Sequence, residues 1–448
     1  MNWQAKLFLA IGDLLWALAL GLASSLACVA VRLFFRLLQW LFTGNSGLLS
    51  HAAEGLPPWY RVITPALGAL AAMAVIWAAR RFAKAGRFEE YVDAVRLNGG
   101  RIAFLPTLWR TISSAFSVAT GAAIGREGSM IQFATAATSW LGERAALSRI
   151  PLSTQVACGA AAAIATVYQA PIAGVFFAAE IVMGSIMIRT IPLLLVSALT
   201  GGVTGAWLLG KGPLFAIHMH PGIQFGTDRT MVVFSLLLPV LLGLLGPAYY
   251  WLIHSLRSTS KWPLPLLWSG VLVGLLSLRS TLVWGNGDAA LLQITQSSPA
   301  IWALFSVLIL RLCATTFCVG TGTVGGVFTP TVFAGAAIGY SAAHLLHMPS
   351  PELFTILSMG CLLASVTHAP LMASFMAVEL TGQWSLLPYV LLGSVIAWAI
   401  ARMISPHSLY AIATPDPASE IVVGGLPDAG LYSQRERTTV METVGAGK

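Results

Sequence analysis

From Leu312 to Pro351 the chain runs through 40 residues without one formal charge. Equally bare stretches recur over 62–79, 111–125, 128–142, 151–179, 190–210, 230–256, 262–278, 289–310, 353–378 and 380–401. A chain that folds in water has about a quarter of its residues charged; here 9% are charged and 57% apolar among 448 residues. No soluble exterior can be assembled from that supply, which excludes soluble enzymes, nucleic-acid binders and disordered scaffolds. The expected fold is all-α, a polytopic membrane protein in contact with a lipid bilayer.

The bare stretches differ in length. Some fall short of the ~20 residues that cross a bilayer as one straight helix and others exceed it. Several are broken by Gly or Pro, as at Gly121, Gly125, Gly128, Pro171, Gly322, Gly325, Gly326, Pro330 and Pro370. Interrupted helices at membrane depth are tolerated where the freed backbone packs in protein or lines a polar cavity, so many tilted and broken helices around a transport pathway are expected. The apolar run starting at Leu14 passes through the small-x-small sequence Ser25-Leu26-Ala27 to Val31 and resumes as far as Phe42. That predicts an uncleaved first span rather than a signal peptide. Residues 80–110 carry Arg80, Arg81, Lys84, Arg87, Arg96, Arg101 and Arg110, whereas 43–60 carry only Glu54. Positive charge stays on the cytoplasmic side, so both termini are expected there, on the inner face of a plasma membrane. Residues 411–448 shift to a charged, Gly/Pro-bearing composition that predicts a disordered tail. The five cysteines sit in apolar stretches without metal-ligand spacing, so no metal, cofactor or disulfide is expected.

An internal repeat ties the halves together. Ala170-Pro171 precedes Glu180 by the same interval as Ala369-Pro370 precedes Glu379, with Phe176 and Phe375 at matching places between them. Gly125-Arg126-Glu127-Gly128-Ser129 and Gly326-Val327-Phe328-Thr329-Pro330 stand at nearly the same separation. Duplicated halves whose broken helices meet near the midplane suit a transport fold. The expected organisation is a first repeat over 1–215, a second of inverted topology over 216–410, and the tail.

Glu127 lies between uncharged runs, and a carboxylate at membrane depth is costly enough to imply a function; a structural pair with Arg126 is the plainer alternative. Gly125 and Gly128 permit close backbone approach. A helix starting there would aim its free N–H groups and positive dipole end at one spot, a ready anion site. The second-half counterpart offers amides with no acid at all.

These residues resemble a known family. Gly125-Arg126-Glu127-Gly128, Gly326-Val327-Phe328-Thr329-Pro330, Ala170-Pro171 with Glu180, and Ser408-Leu409-Tyr410 look like the motifs of the CLC chloride channel and transporter family, in the family's order, over about residues 10–412. The similarity is greatest to its bacterial voltage-gated chloride channels. It implies that Glu127 is a gate whose carboxylate occupies an anion site and leaves when protonated or displaced by chloride. It implies anion binding by Gly125, Arg126, Gly128, the Val327 and Phe328 amides and the Tyr410 hydroxyl, and a homodimer with one pore per subunit, without CBS domains. Two departures stand out. The family's Gly-Ser-Gly-Ile-Pro anion motif should fall at 85–89, where the chain reads Ala85-Gly86-Arg87-Phe88-Glu89; Gly86 stands where the serine hydroxyl is expected. Exchangers of the family carry a second acid after Glu180, the proton relay, but this chain has Ile181. Passive, gated chloride conduction is therefore favoured over proton-coupled antiport, with Glu180 left as a possible pore-lining substitute.

Three other patterns compete. Gly44-Asn45-Ser46-Gly47 matches the Gly-x-Ser-Gly of intramembrane serine proteases, with only His51 nearby as a base. His218-Met219-His220 is expected to be solvent-exposed rather than metal-binding. His368, beside Ala369-Pro370, is expected to be a helix-start residue.

Overall fold

A computed structural model describes residues 3–82, 88–145, 148–217, 229–297, 299–348 and 350–410; Gly86, Arg87, the 218–220 histidines and the tail from 411 lie outside the described residues. The described chain is helical throughout, joined by short loops. Six helices are long and apolar enough to cross a membrane: Leu7–Thr43, Pro58–Phe82, Ile191–Leu209, Val232–Lys261, Ile301–Gly320 and Trp384–Ile404. The first continues unbroken from Trp3 through Ser25-Leu26-Ala27 to Thr43. At 1.5 Å per residue its 41 residues span roughly 60 Å, about twice a hydrocarbon core.

Large apolar side chains point outward along these long helices, among them Leu15, Leu22, Leu33, Trp207 and Trp302. In lipid that exposure costs nothing. The interior is built from the shorter helices, of which Leu152–Tyr168 is buried from Thr154 onward and Pro351–Thr367 from Leu353 onward. Their neighbours close in on small residues. A Cβ on Gly205 would lie 2.9 Å from Thr166 Cα, and one on Gly335 would lie 2.6 Å from the Ser358 carbonyl oxygen. With no hydrophobic drive between helices in a bilayer, such close backbone approach is what holds them.

The repeat is written into the hydrogen bonds. Gly125 N–H donates to Gly326 O at 2.6 Å and Gly326 N–H returns to Gly125 O at 2.7 Å. Ser114 Oγ–H donates to Val324 O at 2.7 Å; Thr315 Oγ1–H donates to Ala123 O at 2.8 Å. Gly125 and Gly326, Ser114 and Thr315, and Ala123 and Val324 are each 201 positions apart. A second set is 199 apart. Glu379 accepts from the Ile172 and Ala173 amides at 3.1 and 2.8 Å, while Glu180 accepts from the Leu371 and Met372 amides at 3.2 and 2.8 Å. Phe176 and Phe375 stack between them, 5.0 Å apart and 8° from parallel. Each half thus completes the other across a pseudo-two-fold axis.

This geometry shows what Glu180 and Glu379 bind. Each carboxylate caps the helix start of the opposite half, Pro171–Phe176 or Pro370–Thr381, satisfying amides that have no intrahelical acceptor. Glu180 therefore caps a helix start of the other half. His368 differs from expectation. It closes the Pro351–Thr367 helix in a left-handed conformation, φ 58°, as Gln169 closes Leu152–Tyr168 with φ 55°. Gly44-Asn45-Ser46-Gly47 is a turn in which Asn45 Oδ1 accepts from Gly47 N–H at 2.7 Å; among the described residues no hydrogen bond joins Ser46 to His51.

Candidate functional site

The Phe104–Ala119 and Ile301–Gly320 helices each end in a glycine turn, at Gly121 with φ 116° and Gly322 with φ 82°. The chain then reverses into the Glu127–Arg144 and Phe328–Leu345 helices. Their first internal bonds run from Met130 N–H to Arg126 O and from Thr331 N–H to Val327 O. The amides of residues 127–129 and 328–329 precede both ladders and are left for other acceptors. Pro330 fits here because an N–H in the first turn would have no partner anyway. Both positive helix ends are held side by side by the Gly125–Gly326 bridge. A Cβ on Gly128 would press to 3.1 Å from Gly326 N, so a side chain there would crowd the Gly326 backbone.

Glu127 is 4% exposed. Asn286 Nδ2–H donates to its Oε1 at 2.6 Å, and Arg126 Nε lies 4.0 Å from the same oxygen. Its other oxygen, Oε2, lies against Gly125 and has no partner. The carboxylate lines a large cavity and touches two residues that line a small one. The large one, about 1480 Å³, is lined by Glu127, Gly128, Val327, Phe328, Tyr168 and Tyr410, together with basic residues such as Arg80, Arg101 and Lys261 and acidic ones such as Glu89, Glu90 and Glu143. The small one, about 240 Å³, is lined by Arg126 and Asn286, the two groups that hold Glu127, together with Arg32, Arg36 and Asp288. No Lys or Arg belongs to the two amide-bearing helix starts apart from Arg126, whose head turns to the small cavity, 4.0 Å from Asp288.

Of the residues singled out from sequence, Glu127, Gly128, Val327, Phe328 and Tyr410 line one cavity. Gly125 does not serve there. Its N–H and C=O are both taken by Gly326, so it is a bridge rather than an anion ligand. Ile181 is buried at 3% exposure in a π-helical turn, Phe177–Val182, and its carbonyl accepts from Arg96 at 2.5 Å. That guanidinium fills the neighbourhood of the missing acid with positive charge. Gly86 lies outside the described residues.

Sequence reasoning missed three residues. Tyr168 lines the large cavity, its hydroxyl 3.1 Å from Thr329 Oγ1 and its ring 5.2 Å from that of Phe328; its place just before Gln169-Ala170-Pro171 was the only signal. Asn286 sits 159 positions from Glu127, and only folding joins them. Arg311, 2% exposed, binds the carbonyls of Leu282, Val283 and Gly285 at 2.6, 3.2 and 2.9 Å and so fixes the loop that carries Asn286. As a lone charge between two bare runs, it was open to the argument applied to Glu127.

Residues 67–402 match the model of the voltage gated chloride channel family. The chain belongs to that family. Over 414 residues it is 34% identical to the voltage-gated ClC-type chloride channel ClcB of Citrobacter koseri and 35% identical to that of Escherichia coli O157:H7, covering 89% of this chain and 97% of each relative. Among solved structures, a slow cyanobacterial Cl⁻/H⁺ antiporter superposes with a TM-score of 0.77 at 19% identity, covering 92% of this chain and 98% of that one. A CLC-type fluoride/proton antiporter follows at 0.72 and 21% identity, covering 90% and 98%. The family's fold is thus the fold of this chain, and the Glu127 site occupies the meeting point of its two repeats.

Proposed function

We propose that this protein is a chloride channel that conducts passively and is gated by the Glu127 carboxylate. The observation that carries the reading is the position of Glu127: a buried acid at two converging helix starts, lining one cavity and held by Arg126 and Asn286, which line another. Free amides attract an anion without trapping it, as rapid passage requires. The closed gate is a carboxylate resting where an anion would rest, held on one oxygen by Asn286 and unheld on the other. Protonation, or competition from an incoming chloride, releases it and joins the cavities. Phe328, Val327 and Gly128 then present backbone amides, and Tyr410 and Tyr168 hydroxyls, to the ion.

Ile181 supports conduction without proton coupling, since its side chain carries no proton and Arg96 beside it repels one. The reading places the rim of the large cavity in the cytoplasm of a bacterial cell, together with both termini, and divides the chain into repeats at 1–215 and 216–410. It includes a homodimer, each subunit holding a complete pathway.

Purified protein in liposomes tests this. Chloride efflux is expected without proton uptake, and Glu127→Gln is expected to remove the pH dependence of flux. Unchanged pH dependence would discard the gate. A second reading, proton-coupled antiport, is favoured by Glu90, a carboxylate lining the large cavity 4.0 Å from Arg110. Stoichiometric proton uptake that Glu90→Gln abolishes would establish it instead.

A further inference from the structure

The small cavity beyond the gate has features that a mere solvent pocket lacks. Arg32 and Arg36, one turn apart on the Trp3–Thr43 helix, reach it together with Arg126. Like charges at this spacing repel each other on a helix. The one carboxylate in the lining is Asp288, already 4.0 Å from Arg126. Three guanidinium groups against Asp288 and the neighbouring Glu127 leave one positive charge uncompensated. Among the described residues no ion pair reaches Arg32 or Arg36, and Arg32 Nε is buried without a hydrogen-bond partner. A buried charged donor in that state is costly unless an acceptor arrives. At about 240 Å³ the cavity admits a small anion with part of its hydration water, each water taking about 30 Å³.

We propose that Arg32, Arg36 and Arg126 form a second anion site, an antechamber for a small monovalent anion on the side of Glu127 away from the large cavity. An anion there is attracted by the guanidinium groups that line the cavity and relieves the repulsion between the two helix arginines. Asn286 connects the sites. Its amide lines the antechamber and donates to Glu127 Oε1, so an anion held there waits one side chain from the carboxylate it must displace. Binding does not depend on Glu127 being a gate; the effect on flux rests on that reading.

Bromide titration of the full chain in detergent, followed by calorimetry, tests the site. The R32Q/R36Q variant is expected to lose one bromide site, and R32K/R36K, which keeps the charges, to retain it. An isotherm identical between wild type and R32Q/R36Q would overturn the proposal. Should the double variant not fold, R36Q alone, at an exposed position, is expected to weaken that site, and an unchanged isotherm would again overturn it. In oriented liposomes the half-saturating anion concentration on the antechamber side should rise roughly tenfold in R32Q/R36Q, as loss of a focused positive field predicts, with the large-cavity side unchanged. Absence of any wild-type flux would defeat the gated-channel reading while leaving the bromide result to decide the antechamber.

Discussion

Asn286 gives Glu127 a side-chain hydrogen bond of 2.6 Å, beside the one from the residue's own backbone amide. A bond to a charged group is worth about 1.5–3 kcal/mol. If it latches the gate, Asn286→Ala should raise chloride flux by roughly tenfold or more at low chloride, where displacement of the carboxylate limits passage. Flux assays would contradict the latch if the rate stayed level or fell. Gly128 answers to a different constraint. A Cβ there lies 3.1 Å from Gly326 N, so Gly128→Ala should destabilise by about 1–3 kcal/mol through overpacking, visible as a lower melting temperature in detergent. Glu127 itself was legible from sequence because charge is so scarce around it. Asn286 was not, because a neutral amide between two glycines carries no mark until the fold brings it to an acid.

Among elements, the short helices Pro171–Phe176 and Pro370–Thr381 each begin on a carboxylate from the opposite half. Removing it leaves two amides without acceptors in the protein interior. Glu180→Ala and Glu379→Ala should therefore each cost about 2 kcal/mol or more, and by symmetry nearly the same amount. Glu→Gln at either site keeps an acceptor oxygen and should cost less. Thermal melts measure the cost, and the chloride-to-nitrate flux ratio is the control. A changed ratio would place these acids at the pore. The recurrence of Ala-Pro and Glu revealed the duplication in the sequence. It could not say that each glutamate caps the other copy, since the spacing within one half is the same whichever helix start it serves.

The whole molecule is a nearly symmetric frame with an asymmetric centre. Ser114 and Thr315, Gly125 and Gly326, Glu180 and Glu379 repeat one another's bonds. Where Arg126 and Glu127 stand in one half, Val327 and Phe328 stand in the other. The orientation of this frame is testable by labelling cysteines from outside intact cells. Asn45→Cys, in the turn after the first helix, should react with a membrane-impermeant maleimide, and Lys261→Cys, at the large cavity, should not; the reverse pattern would invert the proposed topology. By itself the sequence determined that the chain lives in lipid, that it is duplicated, and that Glu127 is an isolated acid at a helix start. Those facts depend on composition and spacing, which are local. Tertiary structure alone decided that Gly125 bridges to Gly326, that Glu180 caps, and that Arg32, Arg36 and Asn286 gather beside Arg126. Each of those depends on a partner at least 90 residues away, and no local pattern fixes which group a buried donor or acceptor will meet.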